Sequence, residues 1–223
     1  MKTPFITLML AGLLTMSAAQ AADVGLSATL GSLGAGLQLA VPVQQDLNVR
    51  VGFNAYNYTY SGSTTEVNYD FKLKLQTIDA LLDWYPGSGS FRLTAGFVHN
   101  GNKITSVATP NVGGSYTVNG NTYSAASAGV INGDITFRSA APYLGIGWGN
   151  AVGRDNTWGF TSDLGVIAQG TPNSTLTNSG CTATLQLCAQ LSSDLAVENA
   201  SLEQKMNNFK IYPVINFGLY YHF

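Results

Sequence analysis

The stretch "INFGLYYHF", Ile215 to Phe223, alternates Ile215, Phe217, Leu219, Tyr221 and Phe223 with Asn216, Gly218, Tyr220 and His222. Side chains two apart share one face of a strand. The segment is therefore a β-strand with one apolar, aromatic face and one small or polar face. The same period recurs upstream. In "LNVRVGFNA" (47–55), Leu47, Val49, Val51, Phe53 and Ala55 oppose Asn48, Arg50, Gly52 and Asn54. In "FRLTAGF" (91–97), Phe91, Leu93, Ala95 and Phe97 oppose Arg92, Thr94 and Gly96. In "WGFTSDLGVIAQ" (158–169), Trp158, Phe160, Leu164, Val166 and Ala168 oppose Thr161, Asp163, Gly165 and Gln169.

Alternation alone fits either a soluble sandwich or a membrane barrel; the rest of the chain decides between them. Lys2, the apolar run "FITLMLAGLLTM" and the small-residue stretch "SAAQAAD" read as an export leader cleaved after Ala21. The run of 12 apolar-rich residues falls short of the roughly 20 that span a bilayer. Residues 22–223 then form one domain. Without Lys2 it carries nine basic and twelve acidic residues, a net charge of about −3 and no basic patch for nucleic acid. Charged residues make up 10% of the chain, against roughly 25% in soluble domains. No uninterrupted apolar run after residue 22 is long enough for a membrane helix. An exported chain with few charges, alternating strands and aromatic strand ends points to a membrane β-barrel.

Turn signals count the strands. Short connections at 44–46, 86–90 and 153–156 alternate with longer ones at 61–68, 104–134 and 171–208. In outer-membrane barrels the short turns face the periplasm and the long loops face outside. Eight strands result if residues 23–43 supply two, with a tight turn near Gly31–Gly34; a single bulged strand is the alternative. In "DFKLKLQTIDALLDWYP", Phe71, Leu73 and Leu75 are out of phase with Ile78, Ala80, Leu82 and Trp84. A bulge near Gln76–Thr77 would keep both sets on lipid and continue the polar face through Lys72 and Lys74. "SYTVNGNTYS" carries an Asn-Gly hairpin signal, and "SDLAVENASLEQKMNN" predicts a short helix with Leu195, Leu202 and Met206 on one face.

The chemistry is sparse. Parity sends Arg50, Asp79, Asp83, Arg92 and Asp163 into a lumen just wide enough for side chains to fill. Buried charges must pair, so these five are expected to form a plugging network. Cys181 and Cys188 are expected to form a disulfide, given export. No histidine lies near them, so a zinc site is not expected. His99 and His222 lack a serine two residues on, the spacing that would place base and nucleophile on one barrel face. No catalytic residue, cofactor or metal is expected.

The segments "FRLTAGFVHNGNKI", "APYLGIGWGNAVG", "WGFTSDLGV" and "YPVINFGLYYHF" resemble small outer-membrane β-barrel proteins of Gram-negative bacteria, alongside the OmpA-like and OmpW-like eight-stranded barrels. The resemblance implies an eight-stranded antiparallel up-and-down transmembrane barrel in the cell outer membrane, reached through the periplasm. A monomer in contact with lipid and lipopolysaccharide is expected. OmpA-like members imply a structural or adhesive role, OmpW-like members passage of small apolar molecules. Phe217, Leu219, Tyr221 and Phe223 resemble the signal read by the outer-membrane assembly machinery.

Overall fold

The computed structural model describes residues 23–64, 67–87, 89–111, 113–153 and 157–223. The expected leader and most of the 153–156 turn lie outside the described residues. The strands are β1 (Gly25–Gly31), β2 (Gly34–Gln44), β3 (Leu47–Ser63), β4 (Val67–Trp84), β5 (Phe91–Asn100), β6 (Lys103–Pro110), β7 (Ser115–Val118) and β8 (Asn121–Ser124). A one-turn helix α1 (Ala125–Ala128) follows, then β9 (Val130–Thr136), β10 (Ala140–Trp148), β11 (Trp158–Ile167) and β12 (Asn173–Ser179). Helix α2 (Leu185–Met206) and β13 (Tyr212–His222) complete the order.

Eight strands close a ring in the order β1-β2-β3-β4-β5-β10-β11-β13, with β13 pairing back onto β1 from Gly25↔His222 to Gly31↔Asn216. Closure removes the sheet edges that a membrane cannot satisfy. The first hairpin is two strands joined at Ser32–Leu33, with Gly31 opposite Gly34. Gly34 sits at φ 99°, in the left-handed region open to glycine.

The wall is apolar outside. Phe53, Ile78, Phe97, Leu144, Phe160 and Phe217 are all exposed, while Arg50, Asn54, Asp79, Arg92 and Asp163 are buried. The inside carries charge and amide, the reverse of a soluble core. Trp158, Tyr221 and Phe223 stack edge-on at the end that holds Gly25 and His222, and Phe91 and Trp148 do so nearby.

The wall does not stop at the opposite rim. β3 and β4 run on past the last β2–β3 pair, Ala35↔Ala55, and β4 exchanges its partner β5 for β6. β6, β9 and β12 extend this into an open sheet in the order β12-β9-β6-β4-β3. Much of the expected loop 104–134 is therefore strand, while 171–208 holds one strand, β12, and the helix α2. β7 and β8 form a ribbon turning on Asn119 (φ 49°) and Gly120 (φ 78°), the Asn-Gly geometry expected there. α2 is longer than the expected helix: it spans 22 residues and begins at Leu185. Thr184 caps it by accepting the Leu187 N–H, and the Cys181–Cys188 disulfide ties its first turn to the preceding chain.

The expected bulge near Gln76–Thr77 is absent. The β3–β4 register runs unbroken from Leu47↔Trp84 to Ser63↔Asn68. Leu73 and Leu75 therefore share the face of Asp79 and Asp83, and Lys72 and Lys74 share the face of Ile78 and Leu82. What changes at Gln76 is the surroundings. Below it, the outer face is apolar and exposed, and the inner face is polar. Above it, the outer face carries Lys72, Lys74 and the Lys103–Asp134 ion pair (3.1 Å). There the inner face carries Val67, Ala108, Ile131 and Leu176, packed against Tyr116, Tyr123, Leu191 and Leu195 from the ribbon and α2. The polarity inverts because a soluble-type core sits on top of a membrane-type wall.

Candidate functional site

The lumen holds the densest chemistry, in layers. In the charged layer Arg50, from β3, grips Asp163 of β11 with both terminal nitrogens at 2.9 Å. Its Nε lies 2.8 Å from Asp83 of β4, and Nη1 donates to Gln38 at 2.8 Å. Arg92, from β5, donates to Asp163 at 2.7 Å and lies 3.6 Å from Asp83. Thr94 donates its hydroxyl to Asp83 at 2.6 Å. Two guanidiniums and two carboxylates thus close a ring across strands on opposite walls, and each is almost fully buried. Charge-assisted, partly bidentate pairing is what such burial demands.

Glycine makes the room. Gly147 lies opposite Arg92 on the neighbouring strand, and a Cβ there would sit 2.7 Å from the guanidinium carbon. Asp79 stands apart from the ring. It makes no ion pair among the described residues and accepts one hydrogen bond, from Asn54 at 3.0 Å. Asn54 donates also to Thr77 at 3.1 Å. Of the five lumen charges the sequence singles out, four are brought together and Asp79 is not.

An apolar layer of Leu33, Leu81, Val98, Tyr143, Ile167 and Val214 packs against the charged one. Parity places Leu81 with Asp83 and Val98 with Arg92, so these positions were readable. They carry no charge, so the pairing argument does not single them out. The cavity left between the layers is about 10 Å³, bordered by Gln38, Arg50, Asp79, Asp163 and Asn216. That is about the room of one water molecule.

Above the rim, Asp194 of α2 clasps the ribbon. It accepts from Asn119 at 3.1 Å, from Asn121 at 2.8 Å, and from the Tyr123 hydroxyl. The Tyr123 hydrogen bond, with the two amides, holds Asp194 below the usual carboxylate range. The same bond pushes Tyr123 up to about 12. His222 lies 3.7 Å from Asp23, and His99 is on the outer face. Among the described residues no three His, Cys, Asp or Glu side chains come together as a metal site.

A closed eight-stranded antiparallel barrel with an apolar wall and a charged interior is the architecture of small outer-membrane barrel proteins. No protein-family model and no curated protein matches the chain, but solved structures do. CarO2 of Acinetobacter baumannii is 19% identical at a TM-score of 0.57, with 92% of this chain aligned to 100% of that one. CarO of the same organism is 21% identical at a TM-score of 0.57, over the same shares of each chain. These likenesses are of fold.

Proposed function

We propose that the protein is an integral outer-membrane barrel whose lumen is closed, and that it acts structurally or by surface interaction through the sheet, ribbon and helix above the rim. The Arg50–Asp83–Arg92–Asp163 ring carries this reading, because it spans the lumen and leaves a cavity of only about 10 Å³ beside it. The continuous pairing around the ring supports it too, since a lateral opening needs a break in the wall. Catalysis has no support in the two histidines, which lie far from each other in the register: His99 faces Ala140, and His222 faces Gly25.

Proteoliposomes containing the protein are expected to take up an apolar tracer no faster than liposomes with an unrelated closed barrel. Planar bilayers are expected to show no unitary conductance. Tracer uptake above the control would favour passage of small hydrophobic molecules instead.

Lipid and lipopolysaccharide surround the wall in this reading, and a single copy suffices to close it. The assembly machinery is the remaining partner, through the outward row Phe217, Leu219, Tyr221 and Phe223 on and just after β13. Phe223→Ala is expected to lower the amount of folded protein recovered from outer membranes. An unchanged amount would remove this partner from the account.

A further inference from the structure

The open sheet above the rim has two edges, and the chain treats them differently. The β12 edge is covered by α2. Glu203 accepts the Ser174 N–H at 3.2 Å, and Asn199 donates to the Ser174 carbonyl at 3.1 Å and accepts from its hydroxyl at 2.8 Å. Helix side chains thus take up backbone groups that a further strand would otherwise bind.

The β3 edge has no such cover. Beyond the Ala35↔Ala55 pair, residues 56–63 are bonded to β4 on one side, and no described strand or helix pairs with the other. Alternate residues of "YNYTYSGS" therefore present N–H and C=O groups to the outside. Exposed edges of soluble sheets are normally blunted by Lys, Pro, a bulge or shortness. This one is eight residues long, holds no charged residue and no proline, and keeps an unbroken register with β4. Tyr56, Tyr58 and Tyr60 line its inner face, each about half exposed at 48%, 52% and 50%. Asn57, Thr59 and Ser61 line the other.

We infer that residues 56–63 form a strand-acceptor site for an extended segment of another polypeptide. The row of unpaired backbone groups specifies the chemistry of the occupant, since a further strand satisfies it in register. Alternate side chains of the added strand lie beside the three tyrosines, where apolar residues gain contact area. The intervening ones lie beside Asn57, Thr59 and Ser61, where short hydroxyl residues fit. An uncharged segment of alternating apolar and hydroxyl residues is the class of partner this edge takes. The site deepens the surface-interaction reading above and rests on it for the partner's whereabouts; the pairing itself does not depend on membrane location.

The probe is a synthetic octapeptide of alternating valine and threonine, added to the full-length protein in detergent micelles and read by amide hydrogen exchange. With saturating peptide, exchange within 56–63 is expected to slow about tenfold, with β12 and α2 unchanged. A peptide N-methylated at every residue, blocked along both strand edges, separates pairing from simple stacking. It is expected not to bind. Asn57→Pro and Tyr58→Pro remove donors on opposite sides of β3. The variant that loses the outward N–H is expected to lose binding while keeping heat-resistant gel mobility. Equal binding of the fully methylated peptide, protection elsewhere on the protein, or no protection at millimolar peptide would overturn the proposal. So would a dimer by sedimentation that already protects 56–63 without peptide, since a second copy would then be the occupant. Because tracer uptake is measured separately, a failed closed-lumen reading and a failed strand acceptor give different results.

Discussion

Arg50→Met is expected to lower the stability of the barrel by about 3–5 kcal/mol, the cost of removing one partner from a buried ion pair. Arg50 holds both carboxylates of the charged ring, and its loss strands Asp163 and Asp83 at 4% exposure or less. Arg92 remains 2.7 Å from Asp163 but only 3.6 Å from Asp83, so it replaces a small part of what is lost. The urea midpoint in micelles, read by the loss of heat-modifiable gel mobility, measures the effect. Adding Asp163→Asn to Arg50→Met is expected to recover part of the loss, because it removes one of the stranded charges. A single variant within 1 kcal/mol of the parent would show that the charges are hydrated, and that the interior is wetter than a closed lumen allows.

The second large effect lies on the opposite side of the wall. Leu144, midway along β10, is 63% exposed, between Ala95 on one neighbouring strand and Val166 on the other. On a soluble protein, Leu→Lys at so exposed a site falls within about 0.5 kcal/mol of neutral. Facing the middle of a bilayer it costs about 2–4 kcal/mol. Leu144→Lys is therefore expected to destabilise the protein by that amount in liposomes. Thr59→Lys, exposed above the rim but opposite Lys72, is expected to cost no more than about 1 kcal/mol. The contrast is the informative quantity, since both variants add the same charge to an exposed strand position.

The barrel was legible in the sequence because period 2 is a strong signal when the two sides of a wall are chemically opposite. Leu47 to Ala55, Phe91 to Phe97 and Ile215 to Phe223 all point as their parity requires. Arg50, Asp83, Arg92 and Asp163 could be placed in one lumen on the same basis. The phase change in β4 is ambiguous in the sequence because a bulge and a change of surroundings leave the same pattern. A bulge moves the backbone so that Leu73 and Leu75 keep facing lipid. An exit from the membrane leaves the backbone regular and reverses which face is buried, and the unbroken register excludes the bulge. The strands β6, β9 and β12 were illegible for a related reason. Their Ser, Thr, Asn and Gly content is that of loops, and they are strands because β4 continues upward and offers an edge to pair with. Parity gives the face of Asp79 but not its neighbours across the lumen, so its place outside the ion-paired ring is not legible in the sequence.

A nitroxide scan along β4 tests the inverted wall most directly. Single cysteines from Asp70 to Trp84, labelled in liposomes, report contact with dissolved oxygen, which concentrates in hydrocarbon, and with a water-soluble nickel complex. Oxygen accessibility is expected to peak at Ile78, Ala80 and Leu82. Above Gln76, Lys72 and Lys74 are expected to favour nickel while Leu73 and Leu75 are reached less by either. Oxygen peaks at Phe71, Leu73 and Leu75, with the parity switching at Gln76–Thr77, would contradict the inversion and restore the bulge. A β4 with no oxygen-accessible face would contradict the membrane barrel itself.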